Sequence, residues 1–120
     1  MPRIIVWLSE LAQGHFSNEL MARCEFDWAA LVAENLFVKA DQVEVVWMKP
    51  HMTLGSAAVA LDIEFSTGEY GPKLPNDWDN TRLIGTLDRS LKAWQSKYNW
   101  WSTSSIWIRP IQGGRFLEVR

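Results

Sequence analysis

Val46-Trp47-Met48-Lys49-Pro50 returns later in the chain as Ile106-Trp107-Ile108-Arg109-Pro110. An aliphatic residue, a Trp, an apolar residue, a cation and a Pro recur in the same order. Each run reads as the end of a strand. The apolar residues favour extended backbone, and Pro, which cannot donate to a ladder, halts it. Either two strand ends resemble each other by chance, or the chain is one unit written twice. The segments around each run separate these accounts.

Ahead of the first run, Ile4-Ile5-Val6-Trp7-Leu8 is a short β-branched stretch and reads as a strand buried on both faces. Gln13-Gly14-His15 breaks it. Ser17 is a good helix N-cap, and Leu20, Cys24, Trp28, Leu31 and Asn35 follow at helical spacing. Lys39-Ala40-Asp41 turns the chain into a strand over Gln42–Met48, which Pro50 ends, and Gly55 marks the next turn.

The second run has the same lead-in. Ala57, Val59, Leu61, Ile63 and Phe65 alternate with Ala58, Ala60, Asp62 and Glu64, the period of a strand with one apolar face. The stretch STGEYGPKLPND (66–77) is a loop. Asp77 can cap a helix whose stripe is Leu83, Leu87, Leu91, Trp94 and Tyr98, with Ile84 alongside. Ser105–Arg109 is the fourth strand, stopped by Pro110. Gly113-Gly114 is a turn, and Phe116–Val119 a short closing strand that pairs with another element or another copy.

The order is β-α-β twice over. It predicts a single α+β domain over 1–120, with halves of about 1–55 and 56–120. The fold is two βαβ units making a four-stranded mixed sheet with two helices on one face. The uncovered face is not polar. Val43, Val45, Val46, Trp47 and Met48 put apolar groups on both sides of the second strand, and Ala58 and Ala60 lie on the open side of the third. Burying a Trp or Val side chain contributes about 1.5–3 kcal/mol, so a symmetric oligomer that hides this face is expected.

Composition narrows the function classes. Eight Trp in 120 residues exceed what a small core needs and suggest an interface or an apolar cleft. The formal net charge of −2, with no Lys/Arg run, gives no footprint for nucleic acid or an anionic membrane. A single cysteine, Cys24, excludes an internal disulfide and reads as a small core hydrophobe. No signal peptide or apolar span is visible, so a cytoplasmic protein is expected. His15 and His51 lack metal-ligand spacing. There is no phosphate-binding glycine loop and no Ser/His/Asp constellation in Ser102–Ser105. No metal or other cofactor is called for. Asp62 and Glu64 share a strand face, the arrangement of an acid/base pair, but two carboxylates on an exposed strand face are more often solvated and are read so here.

Met1-Pro2 followed at once by a strand, the turn and strand Ala40-Asp41-Gln42-Val43-Glu44-Val45-Val46, and the closing Ile106–Pro110 together resemble the tautomerase superfamily, the group of macrophage migration inhibitory factor and of small uncharacterised bacterial members. The resemblance spans nearly the whole chain in element order and implies a homo-oligomer, a trimer. It implies that Pro2, freed by removal of Met1, is the catalytic base of a tautomerase or isomerase acting on a small enol or keto acid. Burial lowers the basicity of a secondary amine toward neutrality, where it can move a proton between carbon and oxygen. If Met1 stays, Pro2 is an amide and the chain is an inactive oligomeric binding or structural module.

The closing strand of that family reaches a neighbour's Pro pocket. The matching residues here are Trp107, an apolar wall, and Arg109, a carboxylate fork. Lys49, the echo of Arg109, is a further substrate-binding cation or plain surface. Glu44 departs from the pattern, because several family members carry a substrate-binding arginine there. A carboxylate at that place repels dicarboxylate substrates. A ferredoxin-like domain has the same element order. As a nucleic-acid binder it would need stacking aromatics where the third strand has Ala58 and Ala60.

Overall fold

Strand alternation and the two helical stripes become strands and helices. The computed structural model describes residues 2–14, 16–49, 57–67, 71–98 and 103–112. Within these, the strands are β1 (Arg3–Leu8), β2 (Glu44–Met48), β3 (Ala57–Thr67) and β4 (Thr103–Gln112). The helices are α1 (Glu10–Gln13), α2 (Asn18–Leu36) and α3 (Asn80–Tyr98), with a 3-10 turn over Ala40–Gln42. His15, Pro50, His51, Gly55 and the expected strand over Phe116–Val119 lie outside the described residues.

The sheet order is β2-β1-β3-β4. β1 runs parallel to β2, β3 parallel to β4, and β1 antiparallel to β3. Each βαβ unit is therefore closed, its two strands direct neighbours. The ferredoxin-like arrangement splits each unit with an intervening strand, so that alternative is excluded.

Alternation decides what each face holds. Ile4, Val6 and Leu8 of β1 and Val59, Leu61, Ile63 and Phe65 of β3 are fully or almost fully buried beneath the helices. Ile106 and Ile108 of β4 and Val45 and Trp47 of β2 pack against the same core. The parity of β2, ambiguous in sequence, is thereby fixed. Trp47 lies against Phe16 and Trp28, ring centroids 6.0 and 5.9 Å away, and its Nε1 donates to Glu25 Oε1 at 3.0 Å.

The two echoed pentapeptides are one residue out of phase. Trp47 pairs with Val6 at core parity, whereas Trp107 pairs with Asp62 between the core positions Ile106 and Ile108. The pentapeptides lie on equivalent strands, but their Trp positions fall at opposite parity in the register.

The helices follow their local signals. Ser17 Oγ accepts from Leu20 N at 3.1 Å, starting α2. Its inner face is Leu20, Cys24, Trp28, Val32 and Leu36. The helix stops at Phe37, whose φ of 58° is the left-handed conformation usually given to Gly, and Val38 N closes back to Ala33 O at 3.0 Å. Asp79, not Asp77, opens α3, its carboxylate accepting from Thr81 N at 2.9 Å. A turn that closes from Trp78 N to Pro75 O moves the helix start two residues on. Leu83, Leu87 and Leu91 face the sheet, fully buried. Between the helices, Asp27 Oδ2 accepts from Ser90 Oγ at 2.6 Å and Trp94 Nε1 at 2.8 Å, and Ser90 Oγ accepts from Trp28 Nε1 at 3.0 Å.

Pro110 does not stop β4, which continues to Gln112. β4 is the sheet edge, where a missing N–H can face outward without breaking a ladder. No helix among the described residues is long and apolar enough to cross a membrane.

Leu87 is fully buried beneath the sheet. Leu87→Ala is expected to lower unfolding free energy by about 2–5 kcal/mol through lost burial and the cavity left behind. Phe26, 80% exposed on α2, is a control: Phe26→Ser is expected to stay within about 0.5 kcal/mol. Urea unfolding of both variants measures the contrast.

Candidate functional site

The antiparallel register fixes which groups share an end of the sheet. Arg3 pairs with Glu64, so Pro2 stands beside the C-terminal end of β3. β4 runs parallel to β3 with Arg109 opposite Glu64. Pro2 and Arg109 thus lie at one end of the same chain, two strands apart, or about 10 Å by strand spacing. Pro2 is buried, and its carbonyl accepts from Glu44 N at 3.0 Å.

Lys49 lies elsewhere. β2 runs parallel to β1 with Arg3 opposite Glu44 and Trp7 opposite Met48. Lys49 is exposed past the far end of β2, roughly 20 Å from Pro2 by strand rise. Within one chain the structure brings Arg109 toward Pro2 and leaves Lys49 apart. Trp107 occupies the β4 position opposite Asp62, and its side chain lies outside the described residues.

The uncovered face at the Pro2 end carries a row of alternating charge. Glu44 of β2, Arg3 of β1, Glu64 of β3 and Arg109 of β4 are register partners in turn. Arg3 Nε sits 2.6 Å from Glu44 Oε1. Arg109 Nε sits 3.0 Å from Oδ1 of Asp62, two residues inward on the same face. Glu64 forms no ion pair among the described residues.

Asp62 corrects the expectation of a solvated carboxylate. It is 5% exposed. Buried there, it takes the nearest cation on its face. Arg109 Nε is close enough for an ion pair but not aligned for a hydrogen bond, and Asp62 Oδ1 has no hydrogen-bond partner among the described residues. Burial pushes Asp62 above its ordinary carboxylate value, and the Arg109 charge offsets this only in part.

On the helix side of the same end lies a cavity of about 450 Å³, lined by Glu34, Asn35, Phe37, Trp78, Asp79 and Arg82 among others. Trp78 packs edge-on against Phe65, 5.7 Å between centroids, and its Nε1 donates to Asn35 O at 2.9 Å. Phe65 directly follows Glu64 but takes the opposite face, so the cavity lies at the Pro2 end on the other side of the sheet from the charge row. Phe37 lines it, 61% exposed, from its left-handed backbone position. A bulky residue held there is strained where Gly would not be, a mark of positions kept for their side chain. A larger groove of about 680 Å³ lies between α2 and α3 at the opposite end, around Phe26, Ala93 and Trp94.

Other sequence candidates carry less. Cys24 is fully buried, and burial, with the Asp27 charge adding to it, pushes its thiol up to about 12, which removes it as a nucleophile near neutrality. Among the described residues no group of three or more His, Cys, Asp or Glu is placed to hold a metal. Sequence reasoning missed Arg3, the ion-paired state of Asp62 and the pair Phe37–Trp78. All need the register or the helix ends to be known. One signal was legible: a mid-strand Asp calls for a cation nearby.

No protein-family model and no curated protein matches the sequence. Solved structures do. N1, a member of the cis-3-chloroacrylic acid dehalogenase family, is 12% identical with a TM-score of 0.67, covering 97% of this chain and 88% of its own. A fused 4-OT, solved as an asymmetric trimer, is 14% identical with a TM-score of 0.60, covering 92% and 86%. A macrophage migration inhibitory factor-like protein from Entamoeba histolytica is 13% identical with a TM-score of 0.56, covering 92% and 87%. These neighbours are tautomerase-superfamily structures, and the chain has their α+β fold.

Asp62 gives a pH signature. Its folded value lies above its unfolded one, so the folded protein holds this proton more readily. The penalty of the buried charge is absent below the ordinary carboxylate range and grows as pH rises through the folded value. Asp62→Asn is therefore expected to gain stability relative to the parent as pH rises from about 3 to 7, a span bracketing ordinary carboxylates. Urea unfolding across that range measures it, and a difference independent of pH contradicts it.

Proposed function

We propose that this chain is a tautomerase or isomerase that moves a proton between carbon and oxygen of a small enolisable carbonyl compound. Pro2 is the general base, and a homo-oligomer, a trimer, is the working form. The observation that carries the reading is the buried Pro2 at the mouth of a tautomerase-fold sheet, anchored through its carbonyl to Glu44 N and sharing its end with two arginines.

The chemistry follows from that placement. With Met1 removed, Pro2 presents a secondary amine at a buried strand end, where burial disfavours the ammonium form. The neutral amine takes a proton from the carbon next to the carbonyl and returns it to the other position. The developing enolate oxygen needs a cation or N–H donors, and Arg109 or Arg3 can supply one. Trp107 serves as the apolar wall. Lys49 contributes from another copy, given its distance within one chain. The fused 4-OT neighbour is a trimer, and the half-buried Ile5, Trp7 and Val46 with the 40% exposed Met48 on the helix-free face supply apolar surface for such an assembly.

Three measurements test this reading. Intact mass is expected to show loss of Met1. Sedimentation is expected to give three times the 13.8 kDa chain mass. Pro2→Ala is expected to lower kcat/KM for ketonisation of phenylpyruvate enol, or of its methyl ester, by about 10²–10⁴. Turnover unchanged by Pro2→Ala sinks the base assignment, and a monomer sinks the shared pocket.

A further inference from the structure

Both guanidinium groups described on the helix-free face at the Pro2 end are already matched by a carboxylate. Arg3 is engaged by Glu44 at 2.6 Å and Arg109 by Asp62 at 3.0 Å. Glu64 stands between the two arginines in the register without an ion pair of its own among the described residues. With Asp62 counted beside the row, this end of the face holds three carboxylates against two guanidinium groups. Across the sheet, the helix-side cavity of the same end carries Glu34, Asp77 and Asp79 against Arg82.

A substrate carboxylate that pairs with Arg3 or Arg109 on this face has to displace a resident carboxylate. Displacing Asp62 leaves a 5% exposed charge with no partner, among the least favourable states a buried group can adopt. Displacing Glu44 is easier, because that pair is about half exposed and screened. It still leaves the new anion beside Glu64. An uncharged carbonyl compound meets neither obstacle. Its oxygen can accept from a guanidinium N–H that the resident carboxylate does not use, since each guanidinium has five donors, and its apolar body suits the half-buried Ile5 on the same face.

We propose that the Pro2 end selects against carboxylate-bearing substrates and takes enolisable carbonyl compounds without net negative charge, with Asp62 and Glu64 as the residues that set this preference. The proposal rests on the reading that Pro2 marks the reacting centre. Asp62 acts by holding Arg109 in a neutral pair. Glu64 acts by direct repulsion. The two variants should therefore differ: Glu64→Gln removes the repulsion, and Asp62→Asn also frees a full positive charge.

Phenylpyruvate and its methyl ester share one skeleton and differ in this charge. Calorimetric titration of the parent protein with each, at pH 7.5 and low salt, is expected to show the ester bound at least 10-fold tighter. Glu64→Gln is expected to narrow that ratio several-fold, and Asp62→Asn to narrow it further or reverse it. Far-UV circular dichroism confirms that each variant is folded, and Glu64→Gln at a half-buried position stands as the test should Asp62→Asn fail to fold. Equal or tighter binding of the acid by the parent overturns the proposal, as does a ratio moved by neither variant, or no binding of either compound at millimolar concentration. The same titrations on Pro2→Ala separate the two ideas. If Pro2 is not the base, turnover is indifferent to Pro2→Ala while the ester preference persists. If the charge argument fails, turnover still collapses in Pro2→Ala while the preference is absent.

Discussion

The pairing of Arg3 with Glu64 across β1 and β3 decides where every candidate group lies. It is the seam between two closed βαβ units. Because β1 and β3 run antiparallel, the start of one meets the end of the other, and Pro2 arrives beside the strand ends that carry Glu64 and Arg109. The parallel partners then extend the row outward, Glu44 on one side and Arg109 on the other. A slip of one residue would turn Asp62 toward the helices and Leu61 and Ile63 away from them. The fully buried Ile4, Val6, Leu61 and Ile63 prevent it.

Much of this was legible in the chain itself. The alternation from Val59 to Phe65 named both faces of β3, and Ser17 and the leucines at 83, 87 and 91 named the helices. Those signals are local and physical: a period of two, a period of 3.6 and a side-chain cap. The site was harder. Arg3 and Glu44 are 41 residues apart and meet through strand register, which no short-range pattern encodes. Asp62 looked like one more surface carboxylate, since periodicity shows which face a residue takes but not whether its neighbours shut out water. The VWMKP and IWIRP echo was informative about equivalent strands and misleading about their ends and faces, since β4 runs on past Pro110 to Gln112. A one-residue offset between two edge strands leaves the pentapeptides alike while their Trp residues take opposite parity.

The helix-free face joins two demands. It has apolar positions in Ile5, Trp7, Val46 and Met48 toward one end of the sheet and the Glu44-Arg3-Glu64-Arg109 row toward the other. Apolar area favours close approach of another surface, whereas a charge row tolerates approach only by something that satisfies it. A face divided in this way suits an assembly in which the apolar end is covered and the charged end stays open to small molecules.

Cys24 has a consequence of a different kind. Its thiol is sealed beneath α2 and held protonated by its surroundings. An alkylating reagent in solution can reach it when that helix lifts from the strands. The rate of its modification in the native molecule therefore counts those excursions, and the chain carries its own clock for local breathing at one buried place.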